Sequence, residues 1–207
     1  MSSKVYFDQI AQQWDQMQQS FFSDTVREKA LATAGVRAGQ VAADIGAGSG
    51  FITAGLLGRG LKVIAVDQSE AMLAEMGQKF GETAEIDYRR GDAEALPLAD
   101  AEVDYTFANM YLHHVESPGE AIKEMVRILK PGGKLVITDL DEHTHEFLRQ
   151  EQYDRWLGFK RLEIRDWFIA AGLKNVAVVD SEEKCCGTSC CGGEKATISI
   201  FVASGEK

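Results

Sequence analysis

The sequence predicts an α/β fold built on a doubly wound parallel sheet. Short apolar runs alternate with segments of helical period, as strands joined by crossover helices require. Val41-Ala-Ala-Asp44-Ile45 passes directly into glycines at 46, 48 and 50, and a helical pattern starts at Phe51. Such a strand–turn–helix unit brings a ligand against the backbone at the carboxyl end of a parallel sheet. Lys130-Pro131-Gly132-Gly133 then marks a turn from a helical stretch into an apolar run.

Taken in order, helical period covers roughly residues 5–17 and 25–34, with Gly35 as the C-terminal stop. In the first of these, Phe7, Ile10 and Trp14 fall at i, i+3 and i+7 and form one apolar stripe. Extended segments are expected near 41–45, 61–66, 85–89, 103–108 and 133–139, with helices near 50–58, 70–80 and 119–130. A further helical region is expected over 145–170, carrying Trp156, Phe159, Trp167 and Phe168 and closed by Gly172. Two last strands, near 173–180 and 196–203, flank a segment that holds all four cysteines. Neither a repeat nor a long linker interrupts the chain, so 1–207 reads as a single domain, with 1–35 as a helical segment and 36–207 as its core.

At 207 residues and 45% hydrophobic content, the chain suits one well-buried α/β unit. A net charge of −10 and a pI near 4.9 oppose binding to a nucleic-acid backbone, which needs a basic surface. No apolar run approaches the ~18 residues of a membrane span. The start, Met1-Ser-Ser-Lys-Val-Tyr6, lacks the apolar stretch of a secretory signal, and a cytoplasmic location is expected.

The glycine turn departs from the dinucleotide fingerprint. The third glycine of G-x-G-x-x-G falls at Phe51 when counted from Gly46, and at Thr53 when counted from Gly48. Asp44 would also repel a pyrophosphate, whereas it suits an ammonium group. S-adenosyl-L-methionine has an α-ammonium, a sulfonium and no phosphate. A second apolar run, Leu61 to Val66, ends in Asp67, twenty-one residues after Gly46, where a carboxylate can accept hydrogen bonds from ribose hydroxyls. Read singly, Asp67 is also a helix N-cap, Asp44 a turn acid and Ser49 a capping hydroxyl.

Six segments carry a resemblance: Tyr6-Phe7-Asp8 through Trp14-Asp15, Asp44 to Gly50, Asp67-Gln68-Ser69, Gly91-Asp92-Ala93-Glu94 through Leu98, Asn109 to Val115, and Leu129 to Leu135. In this order they resemble the class I S-adenosylmethionine-dependent methyltransferases, type 11-like, and in particular the ubiquinone/menaquinone-biosynthesis C-methyltransferases. The resemblance implies a seven-stranded, mostly parallel Rossmann-like sheet with an antiparallel last strand and an N-terminal helical lid. It implies methyl transfer from S-adenosyl-L-methionine to a small-molecule acceptor. Gly46, Ala47, Gly48 and Gly50 would face the methionine part, with Asp44 near its ammonium. Asp67, with Gln68, would hold the ribose, and Asp92 with the Ala93 backbone would hold the adenine. Asn109 would contact the cofactor beside Met110 and Leu112, and Tyr6, Phe7 and Trp14 would belong to the lid.

His113 and His114 follow the fourth strand at the lip of this site. An imidazole titrates near working pH and can deprotonate an acceptor, the alternative being packing beneath the site. Asp139-Leu-Asp141-Glu142-His143-Thr-His145-Glu146 offers acids and histidines to a hard ion, although helix-start acids account for it as well. The resemblance leaves Cys185, Cys186, Cys190 and Cys191 unexplained. Four thiols within seven residues can converge on zinc or another thiophilic ion such as trivalent arsenic, or form a reversible disulfide. Three readings of function therefore stand: methylation of a small molecule, methylation of a thiol-bound metalloid such as arsenite, and a non-catalytic cofactor-binding module that senses a soft ion.

Overall fold

The computed structural model describes residues 3–81, 83, 85–189 and 193–207. Two helices, α1 (Ser3–Phe21) and α2 (Asp24–Ala34), precede β1 (Val41–Ile45), α3 (Phe51–Leu57), β2 (Lys62–Asp67), α4 (Glu70–Phe80) and β3 (Ile86–Arg90). Then come β4 (Val103–Asn109), a 3₁₀ turn at Leu112–His114, α5 (Pro118–Arg127) and β5 (Leu129–Leu140). The chain ends with α6 (Phe147–Glu151), α7 (Arg161–Ala170), β6 (Lys174–Thr188) and β7 (Lys195–Glu206).

All seven strands form one sheet in the order β3-β2-β1-β4-β5-β7-β6. Strands β1 to β5 pair in parallel, and β7 runs antiparallel to both β5 and β6, as the resemblance implies. The order reverses at β1, which lies between β2 and β4. A crevice at the carboxyl ends of the strands is expected at such a switch point.

Burial on both faces explains the near-continuous apolar runs. Ala43, Ile45, Val66 and Ile137 face α5 and α7 residues such as Ile122, Met125 and Phe168, while Ala42, Val63 and Phe107 face Leu31, Leu56 and Met76 of α2, α3 and α4. Each fully buried Phe, Leu or Ile contributes about 1.5–3 kcal/mol. Local chemistry fixes the helix ends. Ser23 accepts from the Thr25 amide, Ser69 from the Met72 amide, and Gly35 stops α2 in the left-handed region. Ser49 does not cap α3: the N-cap is Gly50, at φ 91°, and the Ser49 hydroxyl donates to Asp15 of α1.

Three expectations need correction. Residues 145–170 are not one helical region but two short helices around an irregular stretch, 152–160. There the Arg155 and Trp156 amides donate to the His113 carbonyl, and Phe159 bridges to Asp141. Gly158, at φ 70°, lies where a Cβ would come within 2.2 Å of the Asp141 carbonyl oxygen, so the chain hugs β5 and cannot coil. The Pro131-Gly132-Gly133 turn is a bulge within β5, with Val103 opposite Leu129 and Tyr105 opposite Lys134. Strand β6 continues to Thr188, which puts Cys185 and Cys186 in a strand and not in a loop.

Candidate active site

A cleft with about 760 Å³ of empty space, partly open to solvent, lies at the carboxyl ends of β1, β2 and β4. Asp44, Gly46, Ala47, Gly48, Asp67, Gln68 and Asn109 line it from the sheet side, and Phe7 and Trp14 of α1 line it from above. A Cβ at Gly48 would lie 3.5 Å from the Trp14 indole nitrogen, so the helix presses directly on the glycine turn. Helix α1 is held on that side by Ser69 donating to Asp8 (2.6 Å) and Lys79 to Asp15 (2.7 Å). On the other side Tyr6 donates to Gln152 (2.8 Å).

Both strand-tip acids are held by their surroundings. Asp44 Oδ2 accepts from the Thr53 amide (3.0 Å) and hydroxyl (2.7 Å). Asp67 accepts from the Gly48 and Ser69 amides, each at 2.8 Å. Burial pushes Asp44 up to about 7 against the Thr53 hydrogen bonds, and the nearby charge of Asp67 adds to the rise. Burial also raises Asp67, its three backbone hydrogen bonds opposing. The lysine at the rim, Lys4, is paired with Asp8 at 2.7 Å. Two carboxylates at a tight glycine turn fit a cationic, phosphate-free ligand and disfavour a pyrophosphate.

Five anticipated residues do not line this cleft, among them Leu112, which is fully buried in the core. Tyr6 packs on Tyr153, their rings 5.1 Å apart. Gly50 faces Phe80 and Met76, where a Cβ would meet Phe80 at 2.5 Å. Asp92 is exposed and accepts from the Gln68 side chain at 2.9 Å. Ala93 is buried behind Tyr111. The sequence reading missed Tyr111. Its ring lies so close to Gly46 that a Cβ there would meet it at 2.1 Å, and burial raises its phenol, with the Ala93 backbone opposing. Tyr111 thus stands between the cleft and the Asp92–Ala93 segment.

A second cavity, with about 530 Å³ of empty space, shares Phe7, Trp14, Phe22, Met110 and His114 with the first. Met110 occupies the left-handed region at φ 50°, unusual for a residue with a side chain, and its amide donates to the Thr138 carbonyl at 2.8 Å. Leu140, Leu148, Ala196 and Ile198 make the apolar wall, and His113, His114, Asp154 and Cys185 gather at the polar end. No Lys or Arg is among the described residues that line it.

The two histidines have different settings. His113 Nδ1 lies 2.7 Å from Asp139, which is fully buried and also accepts from the Leu140 amide. Burial opposes the charged imidazole, but Asp139 and Asp154 outweigh it and hold His113 up at about 9. His114 Nδ1 lies 3.4 Å from the Tyr153 carbonyl, and its ring meets Phe7 edge-on at 5.1 Å. Burial and then the charge of His113 push His114 well below its usual value, leaving it neutral. Burial raises Asp154 to about 6, with His113 opposing.

Alternation along β6 places Cys185 against the second cavity and Cys186 on the exposed face. Adjacent strand residues cannot offer both thiols to one ion, so convergence of the whole cluster does not extend to this pair. Burial, then Asp154, pushes the Cys185 thiol up to about 12. Cys190 and Cys191 lie outside the described residues. The acid- and histidine-rich stretch disperses: Asp139 goes to His113, Asp141 to Arg161 (2.6 Å) and His145 to Glu194 (3.0 Å).

Residues 43–137, from β1 through β5, match the methyltransferase-domain family. Over this stretch the chain is similar to a methyltransferase domain. It is 36% identical over 141 residues to demethylmenaquinone methyltransferase of Renibacterium salmoninarum, covering 67% of this chain and 58% of the relative. It is 33% identical over 150 residues to malonyl-[acyl-carrier protein] O-methyltransferase of Marinomonas sp., covering 69% and 55%. The chain thus spans little more than half the length of these curated relatives. In fold, the chain is similar to a chain of the complex between the Haloferax volcanii Trm112 methyltransferase activator and a methyltransferase, at TM-score 0.76 and 21% identity over 97% of this chain and 96% of that one. A methyltransferase of Thermotoga maritima gives 0.73 and 21% over 97% and 98%.

Proposed function

We propose that the chain transfers a methyl group from S-adenosyl-L-methionine to a small, uncharged apolar acceptor seated in the second cavity. The observation that carries this is the pair of carboxylates, Asp44 buried and Asp67 half-buried, facing a cleft that shares a wall with a second, mostly apolar cavity. When bound, the cofactor supplies a methyl group activated by its sulfonium. Asp44 would hold the ammonium end, Asp67 with Gln68 the ribose, and the Gly46–Gly48 turn would let the ligand lie against the backbone. Asp92 and Ala93 would serve the adenine once the Tyr111 ring yields. Phe7, Trp14 and Phe22 exclude water from both cavities, and Met110 would align acceptor with donor.

His114 is the proposed proton acceptor: it is neutral and belongs to the wall shared by the two cavities. His113, clamped by Asp139, acts as a positioning residue. The absence of Lys and Arg among the described lining residues favours an uncharged acceptor over a carboxylate or phosphate. The metalloid reading rests on Cys185 alone among the described cysteines, because Cys186 faces away.

Radiolabelled methyl transfer to apolar phenols, thiols and quinone precursors, with carboxylates and arsenite in parallel, tests the proposal. Turnover of an apolar acceptor supports it, with a loss of tenfold or more in His114→Gln at unchanged cofactor affinity. Turnover restricted to carboxylates or arsenite overturns the acceptor assignment.

A further inference from the structure

The polar end of the second cavity gathers more donors around His114 than proton transfer alone requires. His113 Nε2 lies 3.8 Å from Asp154 Oδ1, and His114 Nδ1 lies 3.9 Å from the same oxygen. These separations are too long for hydrogen bonds. One donor atom from each of the three residues lies within 4.8 Å of the other two. The side chains are only 6%, 8% and 3% exposed and face the cavity. A tetrahedral site with metal–donor bonds of about 2.0–2.1 Å has donor–donor edges of roughly 3.3 Å, which small side-chain rotations would reach from here.

Two further features suit a metal. Asp139 takes the His113 Nδ1 at 2.7 Å and so turns the other ring nitrogen toward Asp154, the carboxylate–histidine arrangement that orients metal-ligating imidazoles. Charge agrees as well. Asp139 and Asp154 bring two carboxylates to one buried site, and a divalent cation there would take the place of the proton that His113 otherwise carries between them.

We propose that His113, His114 and Asp154 form a divalent transition-metal site, of zinc type, at the floor of the second cavity, with His114 Nδ1 giving up its contact with the Tyr153 carbonyl to the ion. The donor set of two imidazoles and one carboxylate keeps a coordination position open toward the cavity, as catalytic zinc sites do. The inference rests on the proposed function only for what that position would take: an acceptor with an oxygen or sulfur lone pair. With the ion bound, His114 is a ligand, and loss of the acceptor proton is eased by the cation.

Cobalt(II) titration of the full chain tests this, with Cys185, Cys186, Cys190 and Cys191 replaced by serine to remove competing thiols. The expected result is uptake of one equivalent, visible d–d bands, and a rise in thermal midpoint. Asp154→Asn and His114→Gln, each in that background, should weaken binding at least tenfold. Asp139→Asn should weaken it by about 10- to 100-fold, as loss of an outer-shell partner does. Circular dichroism and S-adenosylhomocysteine affinity report the fold of each variant independently. No saturable uptake in the serine background, or uptake unchanged by both ligand substitutions in folded protein, overturns the proposal. Cobalt uptake without S-adenosylhomocysteine binding would sink the proposed function and leave the metal site standing; the converse would sink the metal site alone.

Discussion

His113 is the residue whose physical setting is most sharply defined. It is buried between Asp139 and Asp154, and in the metal-free protein its imidazolium is the charge that both carboxylates face. Removing one partner of a buried ion pair costs about 3–5 kcal/mol. The pH dependence has a definite sign. The folded value, about 9, lies above the ordinary 6.5. The stabilisation is therefore complete below 6.5 and is lost as pH rises through 9. Urea unfolding of the wild type and His113→Asn should differ by that amount near pH 6 and converge near pH 10. A difference that does not vary with pH would mean that the imidazole packs there uncharged.

Among the elements, α1 and β6 decide what reaches the site. Helix α1 is tied to the core by polar contacts at Asp8, Asp15 and Tyr6 and covers the cleft with Phe7 and Trp14, while the sheet's own core is built from other residues. Deleting residues 1–18 should cost cofactor affinity tenfold or more while the thermal midpoint falls only modestly; a parallel loss of both would make the helix an integral part of the core. On β6, alternation separates two neighbouring thiols. Brief alkylation at pH 8 followed by peptide mapping should label Cys186 well before Cys185, which is half-buried and whose thiol is raised to about 12. Equal labelling would contradict the strand register.

Across the molecule, the sheet and its switch point were legible because burial on both faces writes long apolar runs, and because turns spend glycine where φ is positive. Asp44 and Asp67 were found by spacing: they end neighbouring parallel strands in which Ile45 registers with Val66. What escaped depended on distant contacts. Asp139 and Asp154 meet the histidine pair from 26 and 41 residues away in sequence, a pairing that no local pattern encodes. The aromatics at 156–168 imitate a helical stripe, and Gly158 was the one local sign that the chain straightens there. Tyr111 left no signal beyond being an aromatic next to a strand end. The run Glu182 to Cys186 reads as loop because its outward positions are polar, although its alternation is that of an edge strand.

The central claim is that this glycine turn and its two acids select a cationic nucleoside without phosphate. Isothermal titration of the purified chain with S-adenosyl-L-methionine and, separately, with NAD tests it most directly. One-to-one binding of the sulfonium compound, weakened by about 1–3 kcal/mol in Asp67→Ala, with no measurable heat from NAD, is the result predicted. Saturable binding of NAD with none of S-adenosyl-L-methionine would contradict it.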